Sequence, residues 1–139
     1  MPNDAKKKLV FIAGGIGITP FRSMLKYLAD KNEQRSITLI YSSVTMKEVA
    51  YYDVFREAAE KSGVNTIFTF TDKTKIDPSW TGHTGYVNAA MIEQVVPDYR
   101  ERTFYVSGPH TLINACNDVF AGMGIPRSHI KTDFFPGLA

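Results

Sequence analysis

A glycine cluster between an apolar run and a helical pattern is the part of this chain with the clearest chemistry. The cluster, Gly14–Pro20, reads Gly-Gly-Ile-Gly-Ile-Thr-Pro and follows the apolar run Leu9–Ala13. Glycine allows the backbone to turn sharply and to approach a ligand closely. A helix that begins there offers unpaired N–H groups and the positive end of its dipole to an anion. A tight strand–helix connection without a ligand is the alternative, but the order of strand, glycines and helix favours a phosphate-binding loop.

The start of the helix supports this interpretation. Thr19 is predicted to be the N-cap, because its hydroxyl can accept a backbone N–H from the first turn. Pro20 then falls at the first helical position, where its missing N–H costs nothing. Apolar residues between Phe21 and Leu28 recur at helical spacing and predict one buried helix face.

Apolar, β-branched runs alternate with helical patterns along the rest of the chain. Five strands are predicted, over Lys8–Ala13, Ser36–Ser42, Asn65–Thr71, Thr103–Ser107 and Ile130–Phe134. Four helices are predicted, over Thr19–Lys31, Lys47–Ser62, Asn88–Val96 and Thr111–Met123. The alternation predicts an α/β fold, an open doubly wound three-layer α/β/α domain with a five-stranded parallel sheet of order 3-2-1-4-5. The glycine-rich segment Trp80–Asn88 is interpreted as a structural connection, with Asn88 as the N-cap of the third helix.

A second glycine turn, Ser107–Pro109, repeats the order of the first: a strand, a glycine, and a proline near a helix start. Ligands of such sheets bind outside the carboxyl ends of the strands, where the strand order reverses. Strands 1 and 4 are neighbours in the predicted order, so both glycine turns should face one cleft. The loops Ser42–Lys47 and Thr71–Lys75 should lie at the same edge.

Composition limits the other functions. The chain has 139 residues, a formal net charge of +2 and no apolar run long enough to span a membrane, so we expect one domain that binds no nucleic acid and has no membrane span. No signal peptide is visible and the single cysteine, Cys116, suits a reducing compartment, so a cytoplasmic location is expected. Cys116 is interpreted as a half-buried apolar residue of a helix. The scattered His83, His110 and His129 lack metal-ligand spacing, so no metal is assigned.

The glycine cluster departs from the common dinucleotide fingerprint. Pro20 stands where the third glycine of G-x-G-x-x-G is expected, and no carboxylate follows the second strand until Glu48. No Gly-Lys-Ser/Thr follows the cluster either, which excludes a P-loop. An ordinary dehydrogenase is therefore disfavoured.

With these motifs the chain resembles the pyridine-nucleotide domain of the ferredoxin–NADP⁺ reductase superfamily. The resemblance rests on Gly14–Pro20 and Tyr105–Pro109, with Gly82–Asn88 between them and Asp133–Gly137 at the end. It covers nearly the whole chain. It implies that Gly14–Pro20 holds the pyrophosphate of NAD(P)H and places Thr19 beside the nicotinamide and flavin rings.

The resemblance implies further roles. Ser107 would help to line the nicotinamide pocket, although many members of the family have cysteine there, and it joins Thr19 as a candidate catalytic residue. The loop after the second strand would hold the adenosine ribose. NADP-preferring relatives often carry an arginine where this chain has Val44, so NADH is favoured over NADPH, with Lys47 as a substitute point charge. Phe134 or Phe135 would stack on the flavin, unless it packs in the core. The residues expected to bind cofactor are Gly14, Gly15, Ile16, Gly17, Ile18, Thr19, Pro20, Ser42, Ser43, Val44, Lys47, Thr71, Ser107, Gly108, Pro109 and Phe135.

Enzymes of this family carry FAD or FMN on a β-barrel that precedes the nucleotide domain. Only eight residues precede Leu9, and they contain no flavin motif. Residues 1–139 are therefore expected to be the NAD(P)-binding domain alone, passing hydride to a flavin held by a partner domain or subunit and on to an electron acceptor. Alone, the chain should bind NAD(P)H weakly and be inactive. Gly17→Val is expected to block the pyrophosphate while sparing the fold.

Two other functions stay open. A non-catalytic nucleotide-sensing module would keep the glycine turns but need no nicotinamide pocket. A flavodoxin-like electron carrier shares the layered architecture, but its first loop is expected to be rich in Ser and Thr, where this chain has Gly14–Gly17.

Overall fold

The first strand, β1 (Leu9–Gly14), lies inside a parallel sheet, and all six of its residues are buried. The strand is covered on both faces, which is why its sequence is apolar throughout instead of alternating. Phe11 packs with the helices on one face, and Val10 and Ile12 pack on the other, because side chains alternate across a strand. The computed structural model describes residues 6–45 and 52–132.

Within those residues the sheet has six strands, one more than predicted, and all neighbours are parallel. The others are β2 (Ile37–Ser43), β3 (Asn65–Phe70), β4 (His83–Thr84), β5 (Thr103–Ser107) and β6 (Ile130–Thr132). Their order is β4-β3-β2-β1-β5-β6. The predicted α/β class with one parallel sheet is confirmed, whereas the prediction of five strands in the order 3-2-1-4-5 is wrong.

The additional strand, β4, lies in the segment that was interpreted only as a connection. It pairs with β3 through just two residues, Thr69 and Phe70. The Thr69 hydroxyl donates to the carbonyl of Gly85 at 2.7 Å, and the Gly85 N–H donates to the carbonyl of Phe70 at 2.8 Å. A strand of two residues has no periodicity to detect, so these tertiary hydrogen bonds define it.

The helices in the described residues are α1 (Ile18–Lys31), α2 (Tyr52–Ser62), α3 (Ala89–Val95) and α4 (His110–Gly122). Their ends lie within one residue of the prediction wherever both can be compared. The predicted helix residues 47–51, and the end of the last predicted strand at 133–134, lie outside the described residues. None of the described helices is both long and apolar enough to cross a membrane.

The structure confirms one of the two predicted N-caps and contradicts the other. Asn88 caps α3, and its side-chain oxygen accepts the N–H of Met91 at 2.9 Å. The N-cap of α1 is Gly17, so Thr19 is the second residue of the helix and Pro20 the third. Pro20 is still tolerated there, because the N–H groups of the first turn have no partner within the helix.

Two apolar layers hold the helices on the sheet. On one face, α1 and α2 cover a cluster in which the rings of Phe11 and Phe21 stack with their centroids 4.5 Å apart. On the other face, α3 and α4 cover a second cluster, in which the rings of Phe104 and Phe120 lie 4.9 Å apart. Both sheet faces are therefore filled, and the carboxyl ends of the strands remain the edge where a ligand can bind.

Candidate nucleotide-binding site

The first glycine turn leads directly from β1 into α1. Gly15–Gly17 forms one turn of 3-10 helix, and Gly15 has a φ of +55°, a conformation that glycine adopts without strain. A Cβ atom added at Gly15 would meet no other atom within 4 Å, so this side of the turn is open. The N-cap Gly17 makes no side-chain hydrogen bond to the first turn of α1, and a helix N-terminus of this kind can bind an anion.

The two glycine turns pack against each other. Ala13 and Ser107 are partners in the β1–β5 ladder, so both turns begin at the same level of the sheet. A Cβ atom at Gly17 would overlap the carbonyl of Ser107 and lie 2.7 Å from Cα of Gly108. A Cβ atom at Gly108 would lie 3.2 Å from the carbonyl oxygen of Gly14. The two turns, which were expected to face one cleft, are thus in direct backbone contact with each other.

This packing overturns the expectation for Gly17→Val. Any side chain at Gly17 would push into the backbone of Ser107 and Gly108, which cannot move aside as a flexible side chain could. The substitution would therefore disturb the fold between the two turns. Gly15 is the position of the loop where added atoms would enter open space.

The side chains of the loop separate into buried and exposed sets. Ile18 is 2% exposed, and Pro20 is also buried, so their part in a ligand site is limited to the backbone and to packing. Thr19 is exposed, whereas Ser107 at the end of β5 is 6% exposed. Pro109 is the N-cap of α4 and places the start of this helix beside the turn. Leu112 of α4 packs against Gly14 and Gly108.

The residues expected on the adenosine side lie beside the first turn. Ser42 pairs with Gly14, and the hydroxyl of Ser43 donates to the carbonyl of Thr45 at 3.0 Å. The N–H of Thr71 donates to the carbonyl of Ser43 at 3.0 Å, which joins the ends of β2 and β3. Val44 follows and is 51% exposed.

An acidic residue that the sequence analysis did not single out, Asp72, follows the end of β3 and is in backbone contact with Val44. The N–H of Asp72 donates to the carbonyl of Val44 at 3.0 Å. The Asp72 carboxylate accepts from the hydroxyl and the N–H of Thr74, at 2.6 and 3.0 Å, and these bonds lower the pKa of Asp72. Asp72 is therefore ionised at neutral pH. The sequence fingerprint expects the carboxylate after the second strand, whereas Asp72 follows the third strand, β3.

Tyr86 is a second residue at this edge that the sequence analysis left aside. It follows β4 and is 76% exposed, the most exposed of the large apolar residues in the described part of the chain. The carboxyl ends of parallel strands share one edge, so Tyr86 lies on the side of the sheet that carries both glycine turns. The signal available in the sequence was an aromatic residue directly after a Gly-His-Thr-Gly turn.

Three further predictions concern Lys47, the C-terminal segment Asp133–Gly137 and Cys116. Lys47 and Phe135 lie outside the described residues, as do Phe134 and the rest of Asp133–Gly137. Cys116 lies inside α4 and is 1% exposed, more buried than expected. Burial raises the pKa of its thiol to about 12, so the thiol is protonated and unreactive near neutral pH.

Several solved structures have a similar fold. The cytochrome b5 reductase domain of Ulva prolifera nitrate reductase superposes with a TM-score of 0.77 and 21% identity, over 91% of this chain and 48% of that one. The FAD/NAD-binding domain of nitric oxide dioxygenase from Vibrio cholerae superposes with a TM-score of 0.78 and 19% identity, over 97% of this chain and 53% of that one. At these identities the likeness shows the fold.

Sequence relatives are longer than this chain. A glycine betaine monooxygenase reductase subunit from Pseudomonas aeruginosa is 27% identical over 128 residues, which are 92% of this chain and 35% of the relative. The CDP-6-deoxy-L-threo-D-glycero-4-hexulose-3-dehydrase reductase of Yersinia pestis is 32% identical over 127 residues, 91% of this chain and 37% of the relative. The chain thus spans just over a third of these relatives.

The family model described as the oxidoreductase NAD-binding domain matches residues 11–118. The match includes both glycine turns and the strands that carry them, and it confirms the resemblance to ferredoxin–NADP⁺ reductase-type enzymes. This chain belongs to the family of oxidoreductase NAD-binding domains.

Proposed function

We propose that this chain binds NADH and presents its nicotinamide to a flavin held by another domain or subunit, as one half of a flavoprotein reductase. The observation that carries the proposal is the joined pair of glycine turns at the carboxyl edge of the sheet. Gly15 is open to solvent, Gly17 gives α1 no side-chain cap, and the packing of Gly17 on Ser107 unites the turns. A pyrophosphate suits such a site, because it needs close backbone approach and free N–H groups.

The same geometry supports roles for Thr19 and Ser107. Both flank the point where Gly17 meets the second turn, Thr19 from the start of α1 and Ser107 from the end of β5. We assign Thr19 to the exposed side of the nicotinamide and Ser107, which is nearly buried, to the wall behind it. When bound, the nicotinamide supplies the hydride, and these residues orient it and exclude water.

We further propose that NADH is preferred over NADPH. Val44 offers no cation for a 2′-phosphate, and the ionised Asp72 lies beside it. A carboxylate can accept hydrogen bonds from the ribose hydroxyls, as acidic residues do in other dinucleotide sites. The same charge repels the phosphate that distinguishes NADPH.

The proposed partner is a flavin-bearing domain or subunit, followed by an electron acceptor. One relative is named as a reductase subunit of a monooxygenase, and one structural neighbour is an FAD/NAD-binding domain. The thiol of Cys116 and the absence of other cysteines suit the reducing cytoplasm, where we place this activity.

The test is NADH binding by the Gly15→Asn variant, measured by calorimetry. Asparagine tolerates the left-handed conformation of Gly15, so its side chain should enter the open space without strain. We expect NADH affinity to fall about tenfold or more, because the added amide occupies the space of the pyrophosphate. The matched control is Gly124→Asn. Gly124 has a φ of +72° and equally open surroundings, but it follows the far end of α4.

Unchanged NADH affinity in a folded Gly15→Asn variant would contradict the assignment of the first glycine turn to the pyrophosphate. Equal loss in both variants would mean that the effect is not local. AMP competing as well as NADH would favour a nucleotide-sensing module, and flavin retained by the purified chain would favour a flavodoxin-like carrier.

A further inference from the structure

One side chain, that of Leu112 in the first turn of α4, contacts both glycine turns. A Cβ atom added at Gly14 would lie 2.7 Å from Cδ2 of Leu112, and one added at Gly108 would lie 2.8 Å from the same methyl group. Side chains alternate along β1, so a side chain at Gly14 would point, like those of Val10 and Ile12, to the sheet face that α4 covers. The Leu112 methyl group therefore fills the space that the two glycines leave on that face.

Leu112 is fixed in this place by its own helix. Its N–H donates to the carbonyl of Pro109 at 3.0 Å, and Pro109 is the N-cap of α4. The side chain is partly buried and packs against the apolar cluster on the face covered by α3 and α4. Because a close-packed interior transmits small displacements, we infer that Leu112 sets how far apart Gly14 and Gly108 lie.

The second turn has a further support on the side of α1. The backbone of Gly17 lies against the carbonyl of Ser107 and Cα of Gly108, whereas Leu112 contacts Gly108 from α4. The segment Ser107–Pro109 is the wall that we assign to the nicotinamide. The position of this wall relative to the first turn thus depends on both contacts.

We propose that Leu112 is a positioning residue for the nicotinamide. By spacing the two turns, it holds the wall Ser107–Pro109 at the distance from Thr19 that the ring requires. It acts through the backbone of Gly14 and Gly108. The inference rests on the proposed binding of NADH between the turns. Such spacing matters, because a misplacement of about 1 Å can cost on the order of 100-fold in rate.

The expected defect on loss of this side chain is selective for one end of the nucleotide. Leu112 contacts the turns from α4, whereas the open side of the first turn is at Gly15 and the residues assigned to the adenosine end follow β2 and β3. ADP-ribose carries the adenosine and the pyrophosphate but no nicotinamide. Truncation of Leu112 should therefore weaken the binding of NADH and spare that of ADP-ribose. A variant that merely folds less well would lose both to the same degree.

The test is the binding of NADH and of ADP-ribose to Leu112→Ala, measured by calorimetry, with the fluorescence of bound NADH as a signal from the nicotinamide. We expect NADH affinity to fall about fivefold or more and ADP-ribose affinity to stay within about twofold. Leu112→Val, a smaller truncation in a more stable background, should shift the ratio of the two affinities in the same direction. Leu112→Met nearly conserves volume and should stay close to wild type.

Val119→Ala is the matched control. Val119 is also partly buried against the same apolar cluster, but it lies about two turns further along α4. The substitution creates a similar loss of packing away from the glycine turns. The ratio of NADH affinity to ADP-ribose affinity should therefore equal that of the wild type.

A compensating variant tests the mechanism. Gly14→Ala adds a methyl group at the place that Cδ2 of Leu112 occupies, so Gly14→Ala/Leu112→Ala moves the filling group from α4 to β1. Gly14 is a strand residue outside the left-handed region, so alanine suits its backbone. We expect the double variant to recover most of the NADH affinity that Leu112→Ala loses.

Equal changes in the two affinities of Leu112→Ala, or a double variant that binds NADH no better than Leu112→Ala, would overturn the proposal. A wild-type chain that binds ADP-ribose as tightly as NADH, with unchanged NADH fluorescence, would overturn it together with the nicotinamide pocket. Failure of the wild type to bind either ligand would overturn the proposed function itself, on which this inference depends.

Discussion

A single carboxylate, that of Asp72, is central to our proposal that this chain prefers NADH to NADPH. The backbone N–H of Asp72 donates to the carbonyl of Val44, and the hydrogen bonds from Thr74 to the carboxylate lower its pKa. The lack of a cation at Val44 removes a favourable contact with NADPH. In this proposal Asp72 adds an unfavourable contact with the 2′-phosphate, and specificity is commonly obtained from a lost attraction and an added repulsion together.

We therefore expect Asp72→Asn to improve NADPH binding about five- to tenfold while changing NADH binding little, because asparagine keeps the turn but removes the charge. Competition titrations at low salt measure the ratio of the two affinities, and the gain should shrink as salt screens the charge. Asp77→Asn is the matched control. Asp77 forms the same kind of turn, with Ser79 at 2.8 and 2.7 Å. An unchanged ratio in Asp72→Asn would remove Asp72 from the site.

The two strand–turn–helix units are joined at Gly17. The first is β1 with α1 and the second is β5 with α4, and their ladder brings Gly17 onto the carbonyl of Ser107. The absence of a side chain at Gly17 thus serves the packing of two elements as well as any ligand. Gly15 differs from Gly17, because glycine is favoured there by the left-handed backbone conformation, whereas the space around it is open.

Gly17→Ala is expected to lower the free energy of unfolding by about 2–3 kcal/mol or more, the upper range for overpacking, since the methyl group meets backbone. Denaturant titration of the chain without nucleotide measures this loss. Gly122→Ala is the comparison. Gly122 lies in α4 with nothing within 4 Å of its added Cβ, so alanine should be neutral or stabilising by up to ~1 kcal/mol. Equal stability of Gly17→Ala and wild type would contradict the close packing of the turns.

At the scale of the whole molecule, helices cover both faces of the sheet in residues 6–45 and 52–132, and one edge of the sheet carries the proposed nucleotide site. Both helix layers are closed by apolar clusters, so only the carboxyl edge presents the joined glycine turns. Hydride transfer from nicotinamide needs an acceptor, and we propose that a flavin on another domain or subunit supplies it.

We expect the purified chain to bind NADH, to show no flavin absorbance and to catalyse no reduction of ferricyanide by NADH. Addition of a flavin-bearing domain that docks on the carboxyl edge should produce this activity, and Gly15→Asn should reduce it through weaker NADH binding. Rapid oxidation of NADH by the chain without a partner would contradict the proposal that another domain or subunit holds the flavin.

Much of this architecture could be predicted from local patterns. The apolar run of β1, the helical spacing of α1 and the Asn88 cap depend on residues close in sequence, and the structure has all three. Patterns were less reliable where competing local signals exist. Thr19 has the right chemistry for an N-cap, but the glycine turn continues into the helix earlier, at Ile18.

The sequence by itself determined the α/β class, the family and the two glycine turns, because each of them depends on patterns in contiguous stretches of residues. Only the tertiary structure decided that Gly17 is held against Ser107, that Asp72 lies beside Val44, and that β4 exists. These features join residues distant along the chain, and strand pairing sets their proximity.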